Sequence, residues 1–185
     1  MRKVKNLLRL LKSDVTVNDI KNTRTYLKYL WLDAGFSAVF LYRIQSMFTD
    51  LGLVPLAKLV RRLNISRNSF DAAIGSKIGE SFVVPHPAGV VIGNKFIAGN
   101  NLILMPHVVI GQKTFKSQEH NSENPVVGDN VKIGAGAIIL GSIEIGSDCV
   151  IGAGTIVLQN VAPGCYVFGN PNQTRVLSLN DLNAN

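Results

Sequence analysis

Residues 126–161 read "VVGDNVKIGAGAIILGSIEIGSDCVIGAGTIVLQNV", and an aliphatic side chain returns at every sixth place: Val127, Ile133, Ile139, Ile145, Ile151 and Val157. Glycine follows at positions 128, 134, 146 and 152. Four places after each aliphatic stands a small or branched residue: Val131, Ala137, Ile143, Cys149, Thr155 and Val161. A helix cannot keep a six-residue period on one face, and strand alternation alone does not place glycine at every sixth residue. A fixed hexapeptide period is the mark of a parallel β-helix. Each hexapeptide makes a short flat strand with its aliphatic residue inward, and three of them close one triangular coil.

The same phase extends toward the N-terminus. It is carried by Ile78 and Val84, then by Ile92, Ala98, Leu104 and Ile110, with Phe96, Leu102, Val108 and Thr114 in the fourth place. About a dozen hexapeptides predict about four coils. The phase breaks twice. Val84 and Ile92 are eight residues apart, across "PHPAG", and Ile110 and Val127 are 17 apart, across a polar stretch without repeats. Insertions in a solenoid map to its functional face, so both breaks are candidate site elements. His86 lies in the first break and His120 in the second.

Residues 1–70 follow a different rule. From Asp33, a candidate N-cap, Phe36, Phe40, Ile44 and Met47 recur at helical spacing, widened by Val39 and Phe48. Gly52 can end that helix and Pro55 open the next, which carries Leu56, Leu59, Val60 and Leu63. An earlier helix is expected around "NDIKNTRTYLKYLW", and the apolar stripes need each other or another subunit as partners. The chain thus divides into an α-helical domain (1–70), a β-helix (71–176) with an extended loop at 112–125, and a tail (177–185).

The 185 residues are 46% hydrophobic, as in a folded protein. Residues 1–70 carry 13 Lys and Arg against four Asp and Glu, which suits either a solvated face or a peripheral contact with an anionic membrane surface. No basic–aromatic interleaving marks a nucleic-acid site. The longest apolar stretch, "AGFSAVFLY", is far below the roughly 20 residues of a membrane span, and no signal peptide is recognisable. With two cysteines in no metal or redox spacing, a cytoplasmic location is expected.

"FDAAIGSKIGESFVVPHPAGVVIG" (70–93), "VKIGAGAIILGSIEIGSDCVIGAGTIVLQNVAPG" (131–164) and "GNPNQTRV" (169–176) resemble the hexapeptide-repeat acyltransferases, in their serine acetyltransferase-like branch. The helical "FLYRIQSMF" resembles the end of that family's helical domain. The resemblance implies a left-handed parallel β-helix, a homotrimer or a dimer of trimers, and transfer from acetyl-CoA at clefts between subunits. It makes His86 the general base and Asp71 an acceptor-contacting carboxylate. It also places Gly111, Ala135, Gly136, Ala153 and Gly154 along the CoA channel.

Three acceptor positions depart from the pattern. Pro85 replaces the aspartate before the catalytic histidine, Asn124 stands at the second active-site histidine, and Glu123 stands at the serine-binding arginine. With these departures the resemblance points to a sugar hydroxyl, in capsule, exopolysaccharide or lipopolysaccharide synthesis. Serine O-acetylation is the alternative, and a non-catalytic trimeric scaffold a further one. An acceptor hydroxyl needs a base within hydrogen-bond reach, and imidazole, with a pKa of about 6.5, is available near neutrality. His120 is a second catalytic candidate, able to fold back from the loop. His107, in "LMPHVVIG", is read as an outward corner residue. The three histidines lack the close pair that a zinc site requires, so no metal is expected.

Overall fold

The computed structural model describes residues 2–18, 22–113, 124–169 and 175–178. Four helices come first: α1 (Arg2–Val17), α2 (Thr23–Leu32), α3 (Ala34–Asp50) and α4 (Val54–Asn68). Asp33 caps α3 by accepting from the Phe36 N–H at 2.7 Å, and Pro55 sits in the first turn of α4. A left-handed parallel β-helix of three flat faces follows.

Its first face stacks β1 (Phe70–Ala72), β3 (Val90–Ile92), β6 (Val109–Gly111), β9 (Ile138–Leu140) and β12 (Ile156–Val157). The second stacks β2 (Lys77–Ile78), β4 (Ile97–Ala98), β7 (Val126–Val127) and β10 (Glu144–Ile145). The third stacks β5 (Ile103–Leu104), β8 (Lys132–Ile133), β11 (Val150–Ile151) and β13 (Cys165–Phe168), closed by antiparallel β14 (Arg175–Ser178).

Register shows how the hexapeptides build coils. Val91 pairs with Val109, 18 residues on, which is three hexapeptides per coil. Phe70 pairs with Val90, two residues further than that, and Val109 pairs with Ile138, 11 further. The faces therefore stay in register across both phase breaks. The inward columns are fully dry: Ile92, Ile110, Ile139, Leu104, Ile133 and Ile151 are all buried. Residues of the fourth place, such as Leu102, Val131 and Ala137, fill the corners.

Coil stacking leaves the first coil with carbonyls that have no preceding coil to accept from, and buried orphans are costly. Helix α3 supplies the donors. Tyr42 Oη donates to Ser76 O (3.1 Å), Gln45 Nε2 to Ala72 O (2.9 Å), and Arg43 to Ile78 O and Gly79 O (both 2.7 Å). The buried side of α3 is consequently Phe36, Val39, Tyr42, Arg43 and Gln45, whereas Phe40, Ile44 and Met47 of the expected stripe are only half-buried. The need to satisfy backbone carbonyls rotated the helix away from its most apolar face. On α4 the buried residues are Ala57, Asn64 and Asn68, and Leu56, Leu59 and Leu63 are exposed.

Several of the basic residues in the first 70 serve internal contacts. Arg9 pairs with Glu80, and Arg67 donates to Trp31 O at 3.0 Å while lying 5.0 Å from that indole ring. Among the described residues no helix is long and apolar enough to cross a membrane.

Candidate active site

The corner leading from the third face to the first carries His86 and the expected Ala135–Gly136 and Ala153–Gly154 segments. Each coil turns there through a left-handed residue: Gly89 (φ 70°), His107 (φ 59°), Gly136 (φ 68°) and Gly154 (φ 66°). Backbone bonds tie the turns into one column. Gly89 N donates to Ser69 O (3.0 Å), His107 N to Ala88 O, Gly136 N to Pro106 O (both 2.9 Å), and Gly154 N to Ala135 O (2.8 Å). His86 is exposed on the lowest of these turns, and Ala135–Gly136 and Ala153–Gly154 form its upper rungs.

The turn bearing His86 is held from below. A Cβ on Gly35, in the first turn of α3, would overlap Val84 O and lie 3.1 Å from Pro85 O, so only glycine lets the helix approach this closely. Pro87 is buried behind the histidine while Pro85 is exposed. A cleft of about 220 Å³, lined in part by Asp33, Phe36, Val84 and Pro85, opens at this junction.

Asp71 projects from the first face, where its carboxylate accepts from Arg61 Nε (2.6 Å) and Nη2 (3.0 Å). The bond to Asp71 holds the Arg61 guanidinium above its ordinary pKa, against a smaller opposing effect of burial. Asn124 lies at the next corner, between the first and second faces. It is buried, and among the described residues neither amide atom has a hydrogen-bond partner. Its Oδ1 lies 3.2 Å from where a Cβ on Gly93 would stand. His120 and Glu123 fall outside the described residues. Within one chain, then, His86 shares a corner with Ala135, Gly136, Ala153 and Gly154. Asn124 and Gly111 border the adjacent corner, with Asp71 on the face between.

The glycines of the repeats fall into two kinds. A Cβ on Gly134 would stand 2.5 Å from Ala153 N, and one on Gly128 would stand 2.5 Å from Ser147 Oγ, so these are required by coil-on-coil contact. Gly136 has only Gly154 N at 4.0 Å, and Gly154 and Gly111 have nothing within 4 Å. Gly136 and Gly154 owe their identity at least to positive φ. Gly111 needs neither packing room nor a left-handed backbone. A bare backbone there leaves space for a ligand. Among the described residues no group of three or more His, Cys, Asp or Glu side chains is placed to hold a metal ion.

Residues 124–159 match the family described as Bacterial transferase hexapeptide (six repeats). Over 170 residues the chain is 31% identical to the serine acetyltransferase of Bacillus subtilis (strain 168), covering 91% of this chain and 77% of that protein. The chain belongs to the serine acetyltransferase family. Soybean serine acetyltransferase complexed with serine shares its fold with a TM-score of 0.81 at 29% identity, over 94% of this chain and 70% of that one. A serine acetyltransferase in complex with CoA superposes with a TM-score of 0.80 at 25% identity, over 94% and 70%. Against other curated serine acetyltransferases the chain spans only 34–59% of their length.

This membership overturns the expectation of a sugar acceptor in polysaccharide synthesis, and the serine alternative is the one supported. The reason for the misreading is physical. Pro85, Glu123 and Asn124 show which side-chain contacts are absent, but not which groups replace them. Asn124, for one, still presents a donor and an acceptor where an imidazole would. Arg61, which holds Asp71, and Gly35, which lets α3 approach the His86 turn, carry no mark in the sequence reading, while His107 is exposed at its corner as that reading expects. A glycine two residues after the Asp33 cap, inside a helix, was the one local signal that something approaches closely there.

Proposed function

We propose that the protein is an acetyl-CoA-dependent serine O-acetyltransferase with His86 as its general base. The observation that carries this is the corner column, in which the His86 turn and the open Ala135–Gly136 and Ala153–Gly154 turns are successive rungs joined through Pro106–His107. His86 takes the proton of the serine hydroxyl, and the freed oxygen attacks the thioester carbonyl. The C–S bond then breaks, and the CoA sulfur leaves with the proton returned by His86. Backbone N–H groups of the corner stabilise the oxyanion. CoA lies along the column and reaches toward Gly111, where no side chain obstructs it.

Asn124 and Asp71 serve the acceptor, Asn124 through two amide atoms that have no partner among the described residues. Because His86 and Asn124 occupy different corners of one chain, the complete site forms between neighbouring subunits of a homotrimer. The exposed Val91, Ile97 and Val126 on the outer faces suit such burial. His120 and Glu123 stay in this reading as candidates from the sequence alone.

The test is direct. The purified protein is given acetyl-CoA with and without L-serine, thiol release is followed, and the product is identified by mass. Serine-dependent release of CoA with formation of O-acetylserine is expected. Release that is indifferent to serine overturns the proposal.

A further inference from the structure

Helix α4 packs through Ala57, Asn64 and Asn68 and turns its leucines outward, Leu59 being 65% exposed. Helical spacing puts Leu59, Leu63 and Arg67 in one line along α4. Arg67 ends that line against α2: its guanidinium lies 5.0 Å from the Trp31 ring and donates to Trp31 O at 3.0 Å. Trp31 is itself 69% exposed, and Leu27, one turn before it on α2, is exposed too. A cavity of about 150 Å³, lined by Leu30, Trp31, Phe40, Leu41 and Arg67, marks the seam between the helices. One apolar surface thus runs across α2 and α4, and apolar side chains gathered in this way mark an interaction site.

The charge on this surface has one sign. Helices α2 and α4 together carry six Lys and Arg and no Asp or Glu. Arg61 is held by Asp71 and Arg67 by the end of α2, but Lys28, Lys58 and Arg62 are exposed. Of the four acids in residues 1–70, Asp14 is buried against Arg43, and Asp33 turns its carboxylate to the α3 cap. A second copy of the same surface would set these cations against one another, with no carboxylate on either helix to pair them. The complementary partner is both anionic and apolar, and a bilayer with acidic headgroups is both at once. We propose that α2 and α4 form a peripheral docking face for an anionic membrane surface. Trp31, Leu59 and Leu63 enter the headgroup level, and Lys28, Lys58 and Arg62 meet the lipid phosphates. None of these side chains belongs to the acetyl-transfer site, so their substitution leaves the basal activity unchanged.

Trp31 is the only tryptophan in the chain, so its fluorescence reports directly on this face. The purified chain is mixed with vesicles of phosphatidylcholine alone and with vesicles that also hold about 30 mol% phosphatidylglycerol. Only the acidic vesicles are expected to bind it and to shift its emission to the blue. Raising salt from about 0.1 to about 0.5 M should release it. Neutralising two cations, in Lys58→Gln with Arg62→Gln, lowers partitioning about 30-fold. Leu59→Gln with Leu63→Gln reduces both the binding and the shift, and because these side chains are exposed its thermal midpoint holds. No binding, equal binding to both kinds of vesicle, or binding without an emission shift overturns the proposal, as does binding that survives both double substitutions. Self-association without lipid that the leucine substitutions abolish would also overturn it and give the face to a second copy. An equal blue shift with polyglutamate would overturn it in favour of an acidic protein.

Discussion

Arg43 and Asp14 form a buried, two-point ion pair, Nε to Oδ2 at 2.8 Å and Nη2 to Oδ1 at 3.0 Å, with side-chain exposures of 2% and 1%. It does not stand alone. Arg43 also donates to two carbonyls of the first coil, Asp14 Oδ1 accepts from the Phe82 N–H at 3.0 Å, and the guanidinium lies 5.7 Å from the Tyr42 ring and 5.9 Å from the Phe82 ring. One residue pair therefore fastens α1 and α3 to the open end of the β-helix.

Removing one partner strands the other in the interior. Arg43→Met is expected to destabilise the protein by about 3–5 kcal/mol, read from the urea midpoint, because Asp14 is left buried and uncompensated. Adding Asp14→Leu should recover part of that loss. A single substitution within about 0.5 kcal/mol of the unaltered protein would show the pair to be solvated in solution.

His86→Asn keeps a polar side chain on the turn but removes the base. Turnover with serine should fall by about 10²–10⁴-fold while KM for acetyl-CoA stays near its original value. Steady-state assays that vary each substrate separately decide this. Retained turnover would move the base elsewhere.

The two kinds of glycine predict opposite phenotypes. Gly134→Ala drives a methyl to 2.5 Å from Ala153 N and should cost about 1–3 kcal/mol of stability. Gly111→Ala meets nothing within 4 Å, so stability should hold within about 0.5 kcal/mol while the KM for acetyl-CoA rises. Denaturation and kinetics on the same two proteins separate the effects.

Cys149 is a corner residue of the interior, and desolvation by burial pushes its thiol above the ordinary value. The sign follows from linkage: the fold favours the protonated thiol. Its contribution is complete below about pH 8.5, the ordinary thiol pKa, and is lost as pH climbs through the raised one. Urea midpoints should therefore decline as pH rises above that value, and less so in Cys149→Ala. In native protein a thiol reagent should modify the part-exposed Cys165 first and Cys149 only on unfolding.

The hexapeptide phase alone was enough to read three flat faces and inward aliphatics, because each coil depends on side chains within 18 residues of one another. His86 and the Ala135 and Ala153 turns were picked out by motif. Their common corner was not legible, since it depends on where insertions of two and 11 residues leave the register. The rotation of α3 was also hidden. An apolar stripe is visible in sequence, but the demand of unpaired carbonyls on Ala72, Ser76, Ile78 and Gly79 exists only once the coil has closed.

The acceptor was misread for a related reason: three substituted side chains were legible, whereas the groups that stand in for them come from distant segments. His107 shows the limit most plainly. In sequence it is one histidine in a turn, and only stacking of one coil on the next lays its ring over Gly89 and beside the turn of His86. Period and composition decide what repeats along a chain, and proximity across coils is created by the fold that the repeat builds.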